Sequence, residues 1–226
     1  MKKALFTSLL LMLAFAMVSQ ALAAAAPTDS PKAPTLTLIG HSSVKIVTSA
    51  GTVVYIDPYA KGDYSEKADV ILVSHEHSDH NKVKLCTPND GCLTLRVKQT
   101  IKRDGSYNRF SHLGVDIEPF PAYNKNHGRG STNGFLLTFD GITVYFASDT
   151  SKIPEMEALA ARAVDYALFP IDGEYNMGAD EAMESAALVS ARQNIPMHWF
   201  DADPSLFNPE NLLFIPYGET VTLAGL

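Results

Sequence analysis

Three histidines and an aspartate crowd into six positions in His75-Glu76-His77-Ser78-Asp79-His80, in a chain that has seven histidines in all. These residue types at this spacing point to metal ligation. Side chains two apart in extended backbone project to the same side, so His75 and His77 can aim at one point while Glu76 and Ser78 turn away. If the chain enters a helix after Ser78, Asp79 and His80 face a second point nearby. Two divalent ions about 3.5–4 Å apart could then share the turn. A hydrogen-bonded histidine cluster or a single structural zinc is the plainer alternative, and four donors so placed favour metal over it.

Other donors lie far along the chain. Asp149 ends the apolar run 142–148, where a carboxylate is costly unless something pairs with it. His198 ends Ile195-Pro196-Met197, and His127 sits in the Gly-rich loop Asn126–Gly134. His112, just before a strand-like run, competes with His127 for the same task. His41 and Asp57 also stand at strand ends.

The elements that must position these groups begin as short apolar or alternating runs at 35–40, 43–48, 52–57 and 69–74, with Ser49-Ala50-Gly51 as a hairpin turn. Further strands are expected at about 93–100 and at 114–121. A hairpin of 134–139 and 142–148 turns on Asp140-Gly141. Helices are expected at 153–163, with Pro154 in the first turn, and at 179–193, with acids early and Arg192 late. Strands at 164–172 and 195–200, a short helix from Pro209 and a last strand from Glu219 complete the pattern. Helices this few suit two packed sheets with helices outside better than a doubly wound fold.

The run His75–His80 matches the His-x-His-x-Asp-His signature of the metallo-β-lactamase superfamily. The upstream pieces Gly40–Ile46 and Val53–Tyr59, and the downstream pieces Ala122–Thr150 and Ile195–Phe200, resemble its branch of ascorbate-6-phosphate lactonase-like and N-acyl-phosphatidylethanolamine phospholipase-like hydrolases. The resemblance covers about 35–225 and implies a four-layer αβ/βα sandwich with a two-metal site at one edge of the sheets. It implies His75, His77 and His127 on the first metal, Asp79, His80 and His198 on the second, and Asp149 between them. His41 and Asp57 become supporting groups, and an aspartate so placed can orient a ligating imidazole through its second nitrogen. Tyr123, Asn124, Tyr175 and Asn176 lie on loops expected to rim the pocket. Ser148 stands where the family pattern has glycine, so a left-handed backbone there would be strained.

Imidazoles and carboxylates without thiolate suit Zn²⁺ best, and also Mn²⁺ or Fe²⁺. The expected reaction is attack by a metal-bridging hydroxide on an ester, lactone or phosphodiester bond, with Asp79 and Asp149 as the catalytic carboxylates. The β-lactam-cleaving members more often carry a thiolate on the second metal, so that substrate ranks low. The alternative is a non-catalytic metal-binding or interaction protein that retains the fold; it has no need for seven ligands around open positions.

The N-terminus has Lys2 and Lys3, an apolar stretch and Ala21-Leu22-Ala23, the pattern of a signal peptide of residues 1–23, with cleavage as late as 26 an alternative. Residues 24–34 read as a flexible Pro/Ser-rich lead-in and 35–226 as one domain. The expected location is periplasmic or secreted, with no stable membrane anchor after cleavage. The formal charge of −7 becomes −9 once the two lysines leave. That balance, with no basic stripe, argues against a nucleic-acid partner and for a small-molecule substrate. Cys86 and Cys92 span a Pro-Asn-Asp-Gly turn and form a disulfide candidate, worth about 2 kcal/mol by loop closure. A thiolate metal pair is the weaker rival, with no histidine in the loop.

Overall fold

The apolar runs, buried at most positions, form two six-stranded sheets in a computed structural model that describes residues 32–225. The signal-peptide reading, and most of the lead-in, lie outside the described residues. Sheet 1 comprises β1 (Thr35–Gly40), β2 (Ser43–Val47), β3 (Val53–Ile56), β4 (Ala68–Leu72), β5 (Pro88–Leu95) and the C-terminal β12 (Thr220–Thr222), in the order β12-β1-β2-β3-β4-β5. Sheet 2 comprises β6 (Phe110–His112), β7 (Val115–Ala122), β8 (Thr132–Phe139), β9 (Ile142–Phe146), β10 (Tyr166–Pro170) and β11 (Gln193–Met197), in the order β11-β10-β9-β8-β7-β6.

One side of each strand faces the other sheet. Leu36, Leu38, Val44, Ile46, Val54, Ile56, Val70 and Leu72 meet Ile117, Phe135, Leu137, Val144, Phe146, Leu168 and Ile195 in one buried cluster. The period of two makes this register hard to slip, because one residue of slip would turn each apolar row outward. The outer face of sheet 2, with Leu136, Tyr145 and Phe169, is covered by the 3₁₀ segment Pro154–Arg162 and by the helix Ala179–Val189. The outer face of sheet 1 has a thinner cover: Ala60, Tyr64 and Val83 pack against Ile39, Val53, Tyr55 and Ile71. Two packed sheets with helical segments outside form the α/β sandwich that the resemblance implies. No helix among the described residues is long and apolar enough to cross a membrane.

Several boundaries differ from expectation. The strand expected at 93–100 is β5, which ends at Leu95, followed by one helical turn at Val97–Thr100. The segment 153–163 is 3₁₀ and stops where Ala163 turns left-handed. The helix 179–193 ends at Val189, because Ser190 adopts φ 55° as its C-cap. The short helix forms at Pro204–Leu206 rather than from Pro209, with Asp203 accepting from the Ser205 N–H. Cys86 and Cys92 share the cluster beneath sheet 1 as free cysteines, and burial pushes the Cys86 thiol up to about 12.

Strand direction decides where chemistry can sit. In sheet 1, β1, β3 and β4 run the same way, since β2 is antiparallel to both β1 and β3 while β3 and β4 are parallel. In sheet 2, β9, β10 and β11 are parallel, and β7 shares their direction through antiparallel β8. Backbone hydrogen bonds from His198 N to His41 O (3.0 Å) and from Asn133 N to Ser74 O (3.1 Å) tie the sheets together at the C-terminal ends of these strands.

Gly134 on β8 allows the close approach behind that edge. A Cβ there would stand 2.5 Å from the Phe146 carbonyl oxygen and 2.9 Å from that of Ala147. Gly134→Ala should therefore lower the unfolding free energy by about 1–3 kcal/mol, as overpacking does, read from the urea midpoint at unchanged m.

Candidate metal centre

Each candidate ligand leaves the C-terminal end of a co-directional strand. His41 follows β1, Asp57 follows β3, the run from His75 follows β4, His127 lies beyond β7, Asp149 follows β9 and His198 follows β11. Four residues at these exits carry left-handed backbone: His41 (φ 54°), Asp57 (φ 45°), Ser148 (φ 61°) and His198 (φ 49°). Ser148 thus occupies the conformation that glycine adopts freely, at about 1–3 kcal/mol of strain, and its buried hydroxyl has no hydrogen-bond partner. Non-glycine residues hold such angles only where the surroundings over-determine them, and such positions gather at functional sites.

The Asp149 carboxylate, 3% exposed, is the centre of the arrangement. Its Oδ2 lies 3.4 Å from His127 Nε2 and 3.9 Å from His75 Nε2. Its Oδ1 lies 3.5 Å from His80 Nε2 and 3.6 Å from His198 Nε2. One oxygen therefore faces one set of imidazoles and the other faces a second set. His77 joins the first set through Nδ1, 3.2 Å from His127 Nε2. Asp79 joins the second, with Oδ2 3.8 Å from His80 Nε2. His75, His77 and His127 form one donor group whose atoms lie within 4.8 Å of one another, and His41, Asp79, His80 and His198 form another. His112, at the end of β6, belongs to no donor group among the described residues.

The buried His75 Nε2, His80 Nε2, His198 Nε2 and Asp149 Oδ1 have no hydrogen-bond partner. Orphaned buried polar atoms are expensive, and divalent cations satisfy this convergence of nitrogen and oxygen donors. The residues fit a metal centre.

The far nitrogens of the rings are held from behind. Asp57, fully buried, accepts from the Ser74 N–H (2.7 Å) and hydroxyl (2.6 Å) and lies 2.8 Å from His80 Nδ1. Its oxygens are thereby occupied, so the grouping of Asp57 with His75 and His80 is support rather than a further site. Ser74 Oγ is 2.9 Å from His75 Nδ1, and Asn124 Oδ1 is 3.0 Å from His127 Nδ1. Asp172 Oδ2 lies 3.0 Å from His198 Nδ1. His41 stands closer to the centre than a supporting group: its Nε2 is 3.2 Å from Asp79 Oδ2 and its ring centroid is 3.6 Å from that of His198.

A family model described as a β-lactamase superfamily domain matches residues 35–198. The chain belongs to that superfamily. A UPF0173 metal-dependent hydrolase of Nitratidesulfovibrio vulgaris (strain DP4) is 32% identical over 191 residues, covering 73% of this chain and 79% of the relative. A UPF0173 metal-dependent hydrolase of Pyrococcus furiosus is 29% identical over 201 residues, covering 77% and 88%. Among solved structures, a candidate metal-dependent hydrolase of Parabacteroides distasonis superposes with a TM-score of 0.68 at 28% identity, over 80% of this chain and 92% of that one. These place the chain in the superfamily's metal-dependent hydrolase branch.

In this superfamily member the electrostatics of the centre favour a bound cation. Burial alone would raise the Asp149 carboxyl, but His80, His198 and His75 hold it well below the usual range. Burial opposes charge on His80, yet Asp149 and Asp57 hold it well above the ordinary imidazole value. Burial, helped by His80, pushes His75 down to about 2. Asp172 is held down to about 2 against burial, by His198, the Tyr175 N–H and Asn176.

The centre opens into a cavity of about 300 Å³ lined by His77, Asp79, Asn126, His127, Asp149, Tyr175, His198 and Phe200. Of the loop residues expected at the rim, Tyr175 lines the cavity while Asn124 and Asn176 brace it; Tyr123 instead donates to Glu155 (3.0 Å). Asp172 and Phe200 escaped the sequence reading. Asp172 had a usable signal, a carboxylate ending the apolar run Ala167–Ile171, the same signal that marked Asp149.

Asp172→Asn should weaken metal retention about 10–100-fold, the usual effect of losing a group that orients a ligand, measured by chelator competition with the circular dichroism unchanged. Asp149 and Asp57 favour the protonated form of His80, whereas ligation needs it neutral. Metal uptake should therefore be coupled to proton release from this residue, seen as a buffer-dependent enthalpy in titration calorimetry.

Proposed function

We propose that this metal-dependent hydrolase holds two divalent ions, one at His75, His77 and His127 and one at Asp79, His80 and His198, with Asp149 shared, and cleaves an ester, lactone or phosphodiester bond. The observation that carries the reading is the division of the Asp149 oxygens, Oδ2 towards His75 and His127 and Oδ1 towards His80 and His198. The all-nitrogen and oxygen donor set favours Zn²⁺, with Mn²⁺ or Fe²⁺ also suited. When bound, two such ions supply water activated near neutral pH and polarise the substrate oxygen.

The chain's own groups complete the chemistry. Asp79 is about one-third exposed, lines the cavity and is held ionised chiefly by His41. It is the group placed to hold or accept the proton of the attacking water. Asp149 keeps the two imidazole sets at a fixed separation. Asp57, Asp172, Ser74 and Asn124 fix the ring orientations, so little reorganisation is needed on reaction. Export to the periplasm or beyond, with a small molecule as substrate, rests on the charged, apolar and small-x-small pattern of residues 1–23 and on the acidic balance.

Metal analysis of the purified protein should give two equivalents, and chelation should abolish turnover that re-addition of metal restores. Asp149→Ala should lower metal content and reduce turnover by at least about a hundredfold, the scale set by loss of a catalytic electrostatic group. Full occupancy with no turnover across ester, lactone and phosphodiester panels overturns the enzymatic reading.

A further inference from the structure

Above the metal centre two large aromatic side chains stand uncovered. Tyr175 is 48% and Phe200 51% exposed, and both line the cavity. Their ring centroids are 5.9 Å apart, tilted at 61°. Phe200 also packs edge-on against His198 (4.9 Å) and His41 (4.7 Å). A phenylalanine at φ 44° is a true backbone outlier. The segment is pinned in that state by Trp199, whose ring stacks on Tyr217 at 3.7 Å and 2°. On the other side, the Tyr175 backbone is held by Asp172, which accepts its N–H at 2.6 Å, and by Asn124 and Asn126, whose amides donate to its carbonyl at 3.0 and 2.8 Å. Both aromatics are thus presented by rigid backbone, and neither is a chance exposure on a mobile loop.

The rest of the wall offers a phosphoryl group no cationic side chain. Phosphate recognition uses Arg or Lys side chains, and none lines the cavity among the described residues. The Asn126 side-chain nitrogen already donates to the Tyr175 carbonyl. Asp79 and Asp149 face inward, Glu174 adjoins Tyr175, and the chain carries a net charge of −7. Beyond its metals this site offers an approaching group aromatic faces and anionic neighbours.

Resting on the hydrolase reading above, we infer that the Tyr175–Phe200 lip is the specificity element and selects an uncharged apolar acyl or aryl group, which makes the substrate a carboxylic ester or lactone rather than a phosphodiester. Water adds to the acyl carbon, the acyl C–O bond breaks, and a carboxylate, an alcohol or phenol, and a proton result. For a lactone the two products remain one molecule. The cavity volume of about 300 Å³ accommodates a single ring or a chain of a few carbons beside the reacting group.

The test is equilibrium binding of small monoanions to the metal-loaded protein by calorimetry: acetate, hexanoate, phenylacetate and dimethyl phosphate. Hexanoate and phenylacetate should bind at least about tenfold more tightly than acetate or dimethyl phosphate, the gain expected when several methylenes leave water. Tyr175→Ala should reduce that advantage to about threefold or less with metal content unchanged, because only the side chain is removed and the backbone bonds to Asp172, Asn124 and Asn126 stay. Tyr175→Phe should retain the advantage. In turnover, Tyr175→Ala should raise KM for methyl hexanoate more than for methyl acetate. Equal affinity for acetate and hexanoate in the native protein, tighter binding of dimethyl phosphate, or an advantage that survives both Tyr175→Ala and Phe200→Ala overturns the inference. Binding as expected without turnover of any ester supports the lip and overturns the hydrolase reading alone.

Discussion

A buried carboxylate facing four imidazoles is the constraint to which the rest of this structure answers. Asp149 is almost wholly withdrawn from water, and its oxygens lie 3.4–3.9 Å from His127, His75, His80 and His198. A lone ion in such a place would cost several kcal/mol, so everything around it has to supply positive charge or deliver it from solution. Asp149 and Asp57 favour the charged form of His80, which lies between them. His75 supplies none, since burial keeps it neutral. The balance left over is what divalent cations provide.

That requirement reaches back into the strands. β9 must bring Asp149 to the sheet edge, so β8 passes close behind it with Gly134 opposite the Phe146 and Ala147 carbonyls. Ser148 takes a left-handed turn to swing the carboxylate inward, as His41, Asp57 and His198 do at their own strand ends. Strain at four such exits sums to several kcal/mol. It is offset by a core in which both sheets interlock through fully buried aliphatic and aromatic side chains. The sandwich is the stable part, and the edge is where its stability is spent on geometry.

How much of this can be read from residues alone follows from the range of the interactions. The run His75–His80 is a local signal, and its four donors do converge. The backbone differs from the expected strand and helix: β4 ends at Leu72, and Ser78 to His80 form a turn closed by His80 N to His77 O (3.1 Å). A turn brings His75 and His77 together as well as an extended strand does, with ring centroids 4.6 Å apart. Asp149 and His198 were legible because a polar group ending an apolar strand is anomalous wherever it occurs. Phe200 was not, since a phenylalanine after a strand looks like core until the backbone is seen to turn it outward.

The supports behind the ligands also link the metal centre to the cavity wall. Asp172 touches His198 Nδ1 and accepts three backbone N–H groups, those of Glu174, Tyr175 and Asn176. Asn124 faces His127 Nδ1 with its oxygen and donates to the Tyr175 carbonyl and to Asn176 with its nitrogen. One belt of polar contacts therefore runs from His127 through Asn124 and the Tyr175 loop to Asp172 and His198. Networks of this kind rigidify their members together. A change that relaxes the Tyr175 loop backbone disturbs the orientation of one imidazole in each donor group, so the wall that meets substrate and the rings that hold metal vary as a unit. Side-chain replacements at Tyr175 escape this coupling because the belt runs through its backbone, which leaves that position free to alter what the cavity admits while the centre beneath it stays intact.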